Sequence, residues 1–120
     1  MHKKIEKPWG FEVLKKISPF EMIKFLYIKE GYRTSLHYHE RRMENLIVKK
    51  GQVLVNYGDM RGEFTEELQK LEVGQNLWIE PKTVHSIYAV VDSIIEEHST
   101  PLPDDVIRVR DFYGRSVRDS

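Results

Sequence analysis

Residues 31–51 read GYRTSLHYHERRMENLIVKKG, a stretch between two glycines in which His37 and His39 stand two apart and Glu44 follows five residues later. Thr34–Tyr38 is a predicted strand, and the period of two along a strand turns both imidazoles to one face. Glu40-Arg41-Arg42-Met43 is a polar turn, after which Glu44 opens the next apolar run, Glu44–Lys50, and can return a carboxylate to the same side. Lys50-Gly51 ends that run and begins another, Gln52–Tyr57.

The same punctuation continues outward in both directions. Short runs rich in Val, Ile, Leu, Tyr and Phe recur between Gly, Pro and Asp breaks, which is the all-β pattern. Beyond the three runs above, strands are predicted at Trp9–Ile17, Met22–Lys29, Leu68–Leu71, Asn76–Ile79, His85–Val91 and Ser93–Ser99. Two sheets closing face to face as a single-domain jelly-roll β-barrel, residues 1–120, accommodate so many short strands with few free edges. Residues 60–67 read as a connecting turn without chemistry. After Pro101-Leu102-Pro103, the pair Asp104-Asp105 predicts a short C-terminal helix, because carboxylates favour the amide donors of a helix start; an extended tail is the alternative. The apolar interior is expected from Phe25, Leu46, Val48, Val53, Val55, Leu77, Ile79, Ile87 and Ile95, with Trp9 and Trp78 in the core or at a barrel end.

Composition narrows the chemistry. The 120 residues include no cysteine, which removes disulfides, thiolate metal sites and cysteine nucleophiles. Nineteen basic residues balance nineteen acidic ones, so neither nucleic acid nor an anionic membrane is an expected partner. With no apolar run of spanning length and no leader-like start, a cytoplasmic protein acting on a small molecule is expected.

A fourth ligand is suggested by Glu80-Pro81-Lys82-Thr83-Val84-His85, where a turn delivers His85 onto a new strand eleven residues after Gly74. Three imidazoles and one carboxylate suit zinc, manganese, iron, nickel and copper alike, so the expected cofactor is one divalent metal ion of unspecified identity. On an octahedral ion such a set leaves positions open for substrate.

The spacing of Gly31, His37, His39, Glu44 and Gly51, followed by Gly74 and His85, resembles the two motifs of the cupin superfamily. Lys7-Pro8-Trp9-Gly10, Ser35-Leu36-His37-Tyr38-His39, Arg42-Met43-Glu44-Asn45-Leu46, Ile79-Glu80-Pro81, Ile95-Glu96 and Asp104 through Arg115 together resemble the type II mannose-6-phosphate isomerase domain, which often follows a mannose-1-phosphate guanylyltransferase domain. Departures surround the motifs. Glu80-Pro81-Lys82-Thr83 stands where Pro-Pro-Gly-Thr is common, Ala89 where asparagine is frequent, Leu46 where tryptophan is common and His37 where isomerase relatives often carry glutamine.

The resemblance implies metal-dependent aldose–ketose isomerisation of a sugar phosphate, such as mannose 6-phosphate to fructose 6-phosphate. A cupin-type iron or nickel dioxygenase and a non-catalytic sugar-binding module are the alternatives. For an isomerase, Glu96 and His98 are the candidate acid–base groups on one face of a late strand. Arg33, Arg42, Arg115 and Lys82 are candidates for the phosphate, and Tyr27 and Tyr57 for the sugar hydroxyls. A homodimer contacting through Met1–Leu14 is expected by family analogy.

Overall fold

The structure, a computed structural model, describes residues 2–58, 67–110 and 113. Residues 60–66 of the expected connecting turn, Met1 of the expected dimer segment, and Arg115 lie outside that range. Among the described residues there are eleven strands and no helix: β1 (Lys3–Lys7), β2 (Gly10–Ile17), β3 (Met22–Ile28), β4 (Leu36–Tyr38), β5 (Glu44–Lys50), β6 (Gln52–Gly58), β7 (Glu67–Glu72), β8 (Asn76–Ile79), β9 (Val84–Ala89), β10 (Ser93–Ser99) and β11 (Ile107–Arg110). All nine expected strands are present, with ends moved by a residue or two. β1 and β11 were not foreseen.

The strands form two antiparallel sheets, six-stranded in the order β1-β2-β3-β10-β5-β8 and five-stranded in the order β11-β4-β9-β6-β7. Apart from the β6–β7 hairpin, sequential strands alternate between the sheets after β3, which is the jelly-roll arrangement. Alternation along each strand builds the core between them: Leu26, Ile28, Leu46, Val48 and Ile95 from one sheet meet Val53, Val55, Leu71, Ile87 and Ala89 from the other. Trp9 closes the same cluster. At the β5–β6 hairpin Gly51 has φ of 84°, and a Cβ there would collide with the Ser93 hydroxyl and the Asp92 carbonyl, so glycine is required.

Three expectations are corrected. Trp78 is 60% exposed, because β8 is an edge strand whose inward positions are taken by Leu77 and Ile79. Phe25 and Tyr27 face outward, because on β3 the inward parity belongs to Met22, Lys24, Leu26 and Ile28; Tyr27 stacks on Phe11 with ring centroids 4.4 Å apart. Among its described residues the tail has no helix and takes the extended alternative at Ile107–Arg110. The Asp105 carboxylate accepts the backbone amides of Glu40 (2.9 Å), Arg41 (2.8 Å) and Arg42 (3.0 Å), so its attraction for amide donors is spent on a distant turn. Ile107–Arg110 then pairs with β4, opposite Leu36, His37 and Tyr38.

The turn ahead of β9 carries backbone strain. Thr83 N–H donates to the Glu80 carbonyl at 3.3 Å, Pro81 occupies the second turn position, and Lys82 has φ of 66°, the left-handed conformation that favours glycine. Lys82 N–H also donates to the His39 carbonyl at 2.6 Å, which locks the turn against the ligand segment. Relief of the side-chain clash outweighs glycine's extra unfolded-state entropy, so Lys82→Gly is expected to raise stability by about 0.5–1 kcal/mol. The midpoint of urea unfolding reads this directly, and a midpoint at or below that of the parent chain would refute it.

Candidate metal centre

The centre lies where the two sheets face each other. β4 and the residue after it supply His37 and His39, and β9 supplies His85 directly across from His37. Glu44 enters from the first position of β5 in the opposite sheet. The four donor atoms lie within 4.8 Å of one another. His85 Nε2 is 2.7 Å and His39 Nε2 3.3 Å from the same Glu44 oxygen, Oε1, and the His37 and His85 rings are 4.4 Å apart.

Each ring is oriented from behind by the backbone. The Nδ1 atoms lie against carbonyl oxygens: His37 on Ser35 at 2.7 Å, His39 on Asp105 at 2.6 Å and His85 on Thr83 at 2.9 Å. A carbonyl only accepts, so all three Nδ1 atoms carry the proton, and a neutral ring then presents its Nε2 lone pair to the centre. Three lone pairs and a carboxylate at this spacing fit one divalent ion, for which metal–ligand distances of about 2.0–2.2 Å are usual. The four residues can hold a metal ion.

Electrostatics favour a neutral His37 and an ionised Glu44, and they favour a proton on His85 Nε2 that a bound cation would displace. Burial, reinforced by the neighbouring His85 and His39, pushes His37 well below the ordinary imidazole range, keeping it neutral. Burial opposes charge on Glu44, but hydrogen bonds and charge from His39 and His85 overcome it and hold the carboxyl well below its usual range. Burial likewise opposes a charged His85, and the Glu44 carboxylate reverses this and raises it.

A cavity of about 400 Å³ opens beside the cluster, lined by His37, His85, Arg42 and Glu97 together with the inward side chains Lys3, Lys7, Glu12 and Lys24 and by Arg108. Arg42 is almost wholly buried. Its Nη2 lies 3.1 Å from His39 Nε2, 3.3 Å from Glu44 Oε2 and 3.5 Å from Glu97 Oε1, while its Nε is buried with no hydrogen-bond partner. Lys24 pairs with Glu12 at 3.5 Å.

The candidate substrate and acid–base residues separate cleanly. Arg42 lines the cavity, whereas Arg33 donates from Nε to Ser86 Oγ at 3.2 Å and Lys82 is exposed on its turn. Tyr57 faces inward opposite His85 but packs on the core, and Tyr27 lies on the outer face. Glu96 and His98 also lie on the outer face of β10, where Glu96 Oε2 and His98 Nε2 are 2.9 Å apart. Glu97 faces the cavity instead. The signal for it was present in the sequence: Ile95 is a core residue, and the period of two from Ile95 leads to Glu97. The pocket lysines carried no such signal, since Lys3 and Lys7 lie on a strand that was not foreseen and Lys24 sits in an apolar run of unclear parity.

Two facing antiparallel sheets in jelly-roll order, with three imidazoles and one carboxylate converging between them, define a cupin. The chain belongs to the mannose-6-phosphate isomerase C-terminal family, which matches residues 1–111. It is 29% identical over 121 residues to the xanthan biosynthesis protein XanB of Xanthomonas campestris pv. campestris, covering 96% of this chain and 24% of that protein. It is equally, 29%, identical to the alginate biosynthesis protein AlgA of Pseudomonas aeruginosa, covering 97% of this chain and 24% of that protein. The chain thus spans about a quarter of the length of these curated relatives. In fold it is similar to KdgF from Halomonas sp., with a TM-score of 0.73 and 23% identity over 87% of this chain and 92% of that one. It is also similar to a deletion mutant of the oxalate decarboxylase OxdC of Bacillus subtilis, with a TM-score of 0.77 and 15% identity over 90% of this chain and 30% of that one.

Asp105 touches the centre twice, through its carbonyl on His39 and its carboxylate on the turn between His39 and Glu44. Removing the carboxylate leaves three amides without an acceptor and loosens the path between two donors. Asp105→Ala is expected to weaken metal affinity about tenfold and destabilise the fold by about 2 kcal/mol. Competition with a chromophoric chelator and thermal unfolding measure the two effects; unchanged metal affinity would dismiss the positioning role.

Proposed function

We propose that the chain is a metal-dependent sugar-phosphate isomerase that interconverts an aldose phosphate and a ketose phosphate, with mannose 6-phosphate and fructose 6-phosphate as the substrate pair. In this reading His37, His39, Glu44 and His85 hold one divalent ion, of which zinc, manganese, iron and nickel are all compatible with the donor set. The observation that carries the reading is the convergence of those four donors beside a cavity whose wall includes two of them, His37 and His85, and is also lined by cations. Family membership supports the reaction, and the biosynthetic names of XanB and AlgA support a role in carbohydrate metabolism.

A bound ion would supply Lewis acidity to the C1 and C2 oxygens as negative charge develops there. The chain itself does the rest. Arg42, which lines the cavity, offers its guanidinium to a substrate oxygen. Lys3, Lys7 and Lys24 provide the positive charge for a phosphate, in place of the outward Arg33, Lys82 and Tyr27. Burial of Arg42 and Glu97 strengthens the contacts they make. A cytoplasmic setting accords with phosphorylated substrates.

The homodimer belongs to the same reading. Within the expected contact segment, Phe11 stands outward opposite Tyr27 and Val13 opposite Phe25, and Ile94 continues the first row. These in-register apolar rows suit a second copy of the same face. Light scattering is expected to give twice the 14.3 kDa chain mass, and Phe25→Glu to give the single chain mass; a monomeric parent chain would exclude the dimer.

Protein carrying one metal ion per chain is expected to interconvert mannose 6-phosphate and fructose 6-phosphate. Chelation should abolish the reaction, and Glu44→Ala or His85→Ala should lower metal content to a small fraction. Saturable sugar-phosphate binding without turnover would identify a binding module instead. Oxygen consumption by the iron form would identify a dioxygenase.

A further inference from the structure

We infer that Glu97 is the acid–base group that moves a proton between two adjacent carbons of the bound substrate. The inference rests on the isomerase reading and names the residue that reading requires. Glu97 is the one carboxylate of β10 on the inner face, 6% exposed, and it lines the same cavity as His37, His85 and Arg42. It is not one of the four clustered donors. Its Oε1 lies 3.5 Å from Arg42 Nη2, and its cross-strand neighbours are Lys24 on β3 and Leu46 on β5.

Burying a carboxyl costs free energy, so its placement calls for a use. The charged and titratable groups facing it are Arg42 from the turn, Glu44 from β5, Lys24 from β3, Glu12 from β2 and His85 from β9. Burial, with Glu44 adding to it and Arg42 and Lys24 opposing it, pushes Glu97 up to about 7. A carboxyl poised there accepts a proton and gives it back at comparable cost. Glu96, the candidate suggested by sequence, points to the other face of the sheet and is engaged with His98.

The step balances without a redox partner. The Glu97 carboxylate takes the proton from C2 of the aldose; the C2–H pair becomes the C1–C2 double bond, and the carbonyl pair moves onto O1. The hydroxyl proton passes from O2 to O1, the C2 carbonyl forms, and the proton held by Glu97 returns to C1. Arg42, within 3.5 Å, is placed to stabilise the carboxylate at the start and end of the cycle.

The test uses the metal-loaded chain and glycidol phosphate, an epoxide whose ring carbon a pocket carboxylate attacks to form an ester as the ring oxygen takes a proton. One adduct is expected, on Glu97 by tandem mass spectrometry, and none in Glu97→Gln. The same variant should retain one metal ion per chain and bind fructose 6-phosphate, yet lose about 100-fold or more in hydrogen exchange between the substrate and solvent. An adduct elsewhere, no adduct, or a Glu97→Gln variant within about threefold of the parent chain in exchange would overturn the inference. Labelling of Glu97 in a chain that does not interconvert hexose phosphates would uphold the pocket base and remove the proposed substrate pair.

Discussion

Three backbone carbonyls, those of Ser35, Thr83 and Asp105, each hold one histidine by its Nδ1–H, and the centre depends on that arrangement. An imidazole fixed at one nitrogen can direct only the other, so the three Nε2 atoms converge without side-chain searching. Two of these acceptors come from residues two before their histidine, a strand-local device. The third comes from the far end of the chain, which is why the C-terminal tail belongs to the site.

Glu44 supplies the complementary half from the other sheet. The centre therefore ties the two sheets together at the point where their apolar packing gives way to charge. Below it, Leu46, Val48, Val55 and Ile87 form a dry core. Around it, Arg42, Glu97, Lys24 and Glu12 are buried or nearly so, each paired across elements rather than solvated. Such pairs seldom add stability, because desolvation offsets their attraction. They keep a polar cavity open inside a small jelly roll, with positive and negative groups close enough to share one ligand.

The strained Lys82 turn and the Asp105 latch fit the same logic. Both hold the segment from His39 to Glu44 from outside the cavity, one through the His39 carbonyl and the other through the amides of residues 40–42. The ligand loop is thus restrained along its length while its side chains face inward. Lys82 bears a left-handed conformation to make its bond, a local cost repaid by order at the centre.

Sequence alone determined the all-β class, nearly every strand, and the four clustered donors, because strand alternation and motif spacing are local and survive without knowledge of partners. Tertiary structure alone decided which face of each strand sees the cavity. Lys24 rather than Tyr27 faces the cavity and Asp105 caps a turn rather than a helix, since each outcome depends on a neighbour tens of residues away, whereas Glu97 in place of Glu96 and His98 follows from local alternation with Ile95. A one-residue change of parity reverses every side chain on a strand. Where an apolar run shows no clean alternation, as in Met22–Ile28, only the packing of the opposite sheet selects the face.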